Sequence, residues 1–142
     1  MAGGSSERIE DLPISARRII DEARRAFLTT VGREGRPHSV PVCFALRAGE
    51  VVIAVDHKPK GGRRLERLRN IDANPAVALT VDRWDEDWTR LGWVMVQGEA
   101  TVEAPGHPPR ELLARYRQYS QNPPSGEVIV VRPRRALWWL WA

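Results

Sequence analysis

A single cysteine, Cys43, stands among 142 residues. No disulfide framework can form within the chain, and the composition fits a reducing compartment such as the cytoplasm. No apolar run approaches the ~20 residues that a membrane-spanning helix requires. The opening residues, MAGGSSERIEDLP, are polar and small and lack the apolar core of a secretion signal. Neither G-x-G-x-x-G nor G-x-x-x-x-G-K-[ST] occurs, so two common nucleotide-binding loops are absent. The three histidines, His38, His57 and His107, lie far apart and lack metal-ligand spacing, so each reads as an ordinary polar residue. Serine, histidine and aspartate are present without the order or spacing of a triad, which removes the support for a hydrolase. Cys43 sits within an apolar, strand-like run and reads as a small buried hydrophobe rather than a nucleophile.

What is present is a chain with 42% hydrophobic and 28% charged residues, the balance of one soluble globular domain. The net charge of +4 suits an anionic partner: nucleic acid, an acidic membrane or a phosphorylated cofactor. Between positions 58 and 69 six basic residues (Lys58, Lys60, Arg63, Arg64, Arg67, Arg69) face one acid, Glu66. A solvated helix face carries such a run equally well. Six tryptophans occur, at 84, 88, 93, 138, 139 and 141, a residue enriched in cores and where subunits meet. Trp138 and Trp139 are adjacent in a strand-like segment, so one enters the core while the other faces a partner or a planar ligand. An aromatic platform beside a basic patch suits a phosphorylated ring cofactor. It also suits single-stranded nucleic acid, although acids in DEDW and EATVE interrupt the positive surface.

The patterning predicts a loose leader over 1–12 and one folded domain over 13–142. A helix is expected from Pro13 to about Ala26, then strands over 26–31, 38–46 and 51–55, joined by GREGRP and RAGE turns. Pro41 argues for an edge position or a bulge. A basic loop leads to a helix over about 63–73, with Leu65, Leu68 and Ile71 inward and Arg63, Arg67 and Asn70 on another stripe. Asn74-Pro75 ends it. Strands follow over 76–84 and 92–103, where Gly98 marks a bend. A helix is predicted over 108–119, then strands over 127–133 and 135–141. The fold class is mainly β with helices (α+β), an antiparallel, barrel-like sheet.

The order strand–GREGRPHSVPV–strand, VVIAVDHKPK, RLERLRNIDANPAVALTVDRW and WVMVQGEATV resembles the pyridoxamine-phosphate-oxidase-like superfamily of split β-barrels, the fold of FMN-binding proteins. The resemblance spans about residues 14–141. The stretch KPKGGRRLERLRNIDANPAVALTVDRWDEDW is similar to actinobacterial members assigned to the deazaflavin coenzyme F420. The resemblance implies a homodimer with its cofactor at the subunit interface. It implies that Ser39, Val40, Pro41 and Val42 run beneath the ring, and that Ala54, Val55 and Asp56 line the same site. It implies that Arg67 grips the phosphate, and that Trp138 or Trp139 of one subunit closes the site of the other. Lys58, Lys60, Arg63 and Arg64 are expected to neutralise further negative charge. Vitamin B6 oxidases carry an Arg-Leu-His-type segment with no counterpart among these residues, and a glutamine where Trp93 stands here.

Charge separates the cofactors implied. FMN carries one phosphate, whereas coenzyme F420 carries a phosphodiester and a glutamate tail. Five cations over 58–67, with glycines at 61 and 62, suit the longer anionic tail. The expected function is hydride transfer from reduced coenzyme F420 to a conjugated small-molecule acceptor. The alternatives are an FMN-dependent oxidoreductase of the same fold and a non-catalytic carrier of F420, flavin or haem. No metal, nucleic acid or membrane partner is expected, and no catalytic residue is assigned.

Overall fold

The computed structural model describes residues 1–55, 62 and 64–142. Among them eight strands form one antiparallel sheet: β1 (Ala2–Ser6), β2 (Ala26–Val31), β3 (Pro37–Val42), β4 (Ala45–Arg47), β5 (Glu50–Ala54), β6 (Ala76–Arg83), β7 (Gly92–Glu103) and β8 (Val128–Leu140). The order across the sheet is β3-β2-β6-β7-β8-β5-β4, and β1 pairs with the end of β8. Four helices sit in the connections: α1 (Ile14–Glu22), α2 (Glu66–Ala73), α3 (Arg110–Arg115) and α4 (Arg117–Gln121). The curled sheet is the split-barrel arrangement expected.

Period-two alternation decides which way each strand faces. Along β7, Gly92, Val94, Val96, Gly98 and Ala100 are buried, whereas Trp93, Gln97, Glu99 and Thr101 are exposed. The inner face packs with Ile19 and Ile20 of α1 and Leu68 and Ile71 of α2 into the main core. A smaller core joins Val52, Ala54, Val128 and Val130 to Leu112, Tyr116 and Tyr119 on the other side. The first half of β8 is therefore buried on both faces, which explains its unbroken Val128–Val131 run.

Four elements differ from the sequence expectation, each for a local reason. Residues 1–12 include a strand and a 3-10 turn at Ile9–Asp11 rather than a loose leader, with Ile9 and Leu12 buried. The AGGSS stretch can lie along β8 because its residues are small. A Cβ on Gly4 would stand 3.1 Å from the Trp138 indole. The strand expected over 38–46 divides into β3 and β4 around Phe44, which is fully buried. The helix expected over 108–119 breaks into α3 and α4 because Tyr116 adopts extended backbone (φ −124°, ψ 120°). The two closing strands are one continuous β8, with the pairing shifting from Gln97↔Arg135 to Gly98↔Pro133, so Arg134 is the extra residue of a bulge.

Candidate functional site

Two residues that flank the basic segment 56–63, Val55 and Arg64, share one partner, Glu127. The Val55 N–H donates to the Glu127 carbonyl at 2.9 Å. Arg64 Nη1 donates to the Glu127 carboxylate at 3.1 and 3.2 Å, while its Nε donates to Asp72 at 3.0 Å. Gly126 makes this approach possible, since a Cβ there would fall 2.1 Å from the Val55 carbonyl oxygen. Partial desolvation works against the Arg64 charge, but hydrogen bonds and attraction from Asp72 and Glu127 outweigh it and raise its pKa above the ordinary value. Arg64, expected to neutralise a ligand, is thus engaged with two carboxylates of its own chain. Ala54 and Val55 are buried at the loop's start. Asp56, Lys58, Lys60 and Arg63 lie outside the described residues.

Arg67 is half-buried on α2, one position before the buried Leu68. Asn70 leaves the polar stripe expected for it: it is 6% exposed, and its Nδ2 donates to Thr30 Oγ1 of β2 at 2.9 Å. That contact ties α2 to the sheet and requires Gly32, where a Cβ would meet Asn70 Oδ1 at 2.5 Å. Nothing in the local periodicity announces this pairing, because Thr30 and Asn70 are forty positions apart.

β3 forms one edge of the sheet, pairing with β2. Proline has no N–H, so Pro37 and Pro41 belong where that group would point away from β2. Ser39, between them in the same alternation, then turns its N–H and carbonyl outward as well. The free edge therefore offers the carbonyls of Pro37, Ser39 and Pro41 and the single N–H of Ser39. The side chains of Val40 and Val42 point inward with Leu28 and Ala26, while Ser39 and Pro41 lie on the outer face. Thr29 donates to Ser39 Oγ at 3.2 Å.

A cleft of about 510 Å³ opens between the β2–β3 turn and α2, lined in part by Arg33, Arg36, His38, Arg69 and Asn70. His38 Nδ1 is buried without a hydrogen-bond partner. Arg36 lies 3.4 Å from Glu34, and Arg69 lies 2.7 Å from Glu66. The sequence treats His38 as an ordinary polar residue. Its orphaned nitrogen is visible only once α2 is placed over the sheet. His107 is exposed, and among the described residues no cluster of His, Cys, Asp or Glu could hold a metal ion.

The two closing tryptophans part as adjacent strand residues must. Trp138 packs half-buried against the main core and under Gly4. Trp139 lies on the outer face, opposite Trp93 and beside Trp141 with ring centres 6.3 Å apart. The same face carries Phe27, Thr80, Met95 and Leu137 in one cross-strand row, with Phe27 37% and Trp93 36% exposed.

Residues 12–140 match the pyridoxamine 5'-phosphate oxidase family. The chain belongs to that family. It is also 30% identical over 115 residues to a 5a,11a-dehydrotetracycline/5a,11a-dehydrooxytetracycline reductase of Streptomyces rimosus subsp. rimosus, covering 79% of this chain and 71% of the relative. Among solved structures, an F420 reductase superposes with a TM-score of 0.65 at 24% identity, over 88% of this chain and 98% of the other. A haem-binding protein from Mycobacterium smegmatis superposes with a TM-score of 0.64 at 20% identity, over 88% of this chain and 52% of the other. At these identities the two structures share the fold with this member of the family. No described helix is long and apolar enough to cross a membrane.

Proposed function

We propose that this family member is a cytoplasmic, homodimeric oxidoreductase that uses coenzyme F420 to reduce a conjugated small molecule. The observation carrying the reading is that Val55 and Arg64, the described residues that flank the basic segment 56–63, both bind Glu127, with Arg67 following on α2. The 30% identical reductase supports the reaction class. The residues present fit such a cofactor. The β3 edge offers one N–H and several carbonyls, which matches the alternating carbonyl and N–H groups on the pyrimidine edge of a flavin-type ring. The unpartnered His38 Nδ1 is a polar atom awaiting a ligand or water at the neighbouring cleft.

In this reading Ser39 and the flanking main chain of β3 orient the ring edge, and Val40 and Val42 give the strand its inner anchorage. Ala54 and Val55 close the site's floor. Arg67, with Lys58, Lys60 and Arg63, binds the anionic tail, and Arg64 fixes the loop that carries them. When bound, coenzyme F420 supplies a hydride to an electrophilic carbon, and with a proton from water the acceptor gains two electrons and two hydrogens. The protein's contribution is to hold the donor and the acceptor in the geometry the transfer needs. The outer-face row of Phe27, Thr80, Met95 and Leu137 is a largely apolar surface of the kind a second subunit covers.

The test is turnover. Reduced coenzyme F420 mixed with menadione should recover its oxidised absorbance faster when the protein is present. Arg67→Ala should raise KM for the cofactor about tenfold, the loss of one charge-assisted contact, with kcat little changed. Tight binding without turnover would instead support a carrier, and turnover with reduced FMN alone would move the protein to the flavin alternative.

A further inference from the structure

The cleft of about 510 Å³ between the β2–β3 turn and α2 holds charges that are matched unevenly. Both of its carboxylates are engaged: Glu34 lies 3.4 Å from Arg36, and Glu66 accepts from Arg69 at 2.7 Å. Arg33 lines the same cleft, is exposed, and has no ion pair or hydrogen bond among the described residues. Three arginines against two carboxylates leave one positive charge over. A cation entering here would have to break an existing pair, whereas an anion finds an unmatched guanidinium. The Arg36–Glu34 pair, with side chains 86% and 75% exposed, holds weakly and does not keep Arg36 from an anion either.

His38 supplies the second contact. Val40 and Val42 of β3 turn to the inner face, and His38, in the same alternation, turns with them. Its Nδ1 is buried and has no hydrogen-bond partner among the described residues, although buried polar groups are nearly always paired. In one neutral tautomer, and in the imidazolium, that nitrogen is a donor. A water would satisfy Nδ1 and leave Arg33 unmatched, whereas one anion with several oxygens serves both.

The walls of the cleft are set before a ligand arrives. Thr30 stands opposite His38 in the β2–β3 register, and the Asn70 contact to its Oγ1 holds α2 against that pair. The Gly35 N–H closes the turn on the Gly32 carbonyl at 3.0 Å, and Gly35 takes φ +77°, a backbone conformation that favours glycine. Turn, strand and helix therefore need little ordering when an anion binds. The cleft also borders the site described above: His38 precedes Ser39 of the β3 edge, and Arg69 follows Arg67 by two positions on α2.

We infer that this cleft is an oxyanion site, in which Arg33 and His38 Nδ1 together bind the carboxylate or phosphate group of a small ligand. The site is separate from Arg67 and the basic segment, and it stands whether or not the cofactor is coenzyme F420. The group comes either from a free anion or from the far end of a cofactor tail that passes β3. The test is NMR of the histidine ring carbons and their protons in the full chain, at fixed pH, with sodium chloride as the control for ionic strength. Three histidines give few signals, and His38→Gln identifies the one concerned. Inorganic phosphate or succinate, titrated separately, should move the His38 signal saturably, and chloride should not. Arg33→Ala, on an exposed turn, should weaken that response about tenfold, and Arg33→Lys should recover part of it, with the His107 signal unchanged throughout. A His38 signal unmoved by either anion, moved equally by chloride, or moved as strongly in Arg33→Ala would overturn the inference. Coenzyme F420 and its chromophore lacking phosphate and tail then identify the source. Displacement of the bound anion by coenzyme F420 alone assigns the site to the tail, and an anion retained beside bound cofactor assigns it to a free ligand. If the anion binds here and coenzyme F420 binds nowhere, the cofactor reading fails and the oxyanion site stands.

Discussion

Single polar atoms hold the smaller core in place. The Tyr116 hydroxyl accepts from the Phe44 N–H at 3.1 Å and lies 3.1 Å from the carbonyls of Phe44 and Arg24. Arg115, one position earlier, donates to the carbonyls of Ile20, Asp21 and Ala23 at the end of α1 and stacks over the Phe44 ring at 4.7 Å. The pair fastens α3 to α1 and to the strand break at Phe44. Tyr116→Phe would leave a buried N–H without a partner and should cost about 1–3 kcal/mol, read as a lower urea midpoint with unchanged slope. None of this was legible in the sequence, where Tyr116 is one more aromatic on an amphipathic stretch. By contrast Trp138 and Trp139 were legible, because strand geometry alone sends adjacent side chains to opposite faces.

At the scale of elements, local rules located the strands and long-range contacts trimmed them. The alternation of β7 and the stop at Asn74-Pro75 needed only neighbouring residues, and both appear where the pattern puts them. The division of 38–46 and the strand at Ala2–Ser6 depend on partners tens of positions away, beyond the reach of periodicity. Gly98 is an intermediate case. The sequence marked a bend, and the structure shows its cause: a Cβ would stand 2.2 Å from the Arg132 carbonyl oxygen, where β7 and β8 shift register. Backbone cannot yield as a side chain does, so Gly98→Ala should destabilise by about 1–3 kcal/mol. A thermal unfolding curve measures this, and an unchanged Tm would mean the bulge relaxes freely.

The whole molecule divides its surface by chemistry. Glu127 binds both Val55 and Arg64, which flank the basic segment, a largely apolar row crosses the outer face, and an acidic, tryptophan-rich corner closes β8. The fold was legible nearly throughout, since each strand carries its own pattern and the motifs lie along most of the chain. The candidate site was legible as a region rather than as a set of contacts. Arg67 and β3 could be named from the resemblance, but the pairing of Arg64 with Asp72 and Glu127, and the orphaned His38 nitrogen, depend on how α2 sits against the sheet. The central claim is that this loop selects the longer anionic tail of coenzyme F420 over the single phosphate of FMN. The most direct test is a titration of tryptophan fluorescence with each oxidised cofactor, with light scattering on the same sample to count subunits. Quenching by coenzyme F420 at low micromolar concentration with little response to FMN, at one cofactor per chain of a dimer, is the predicted result. Preference for FMN, or no response to either, would contradict it.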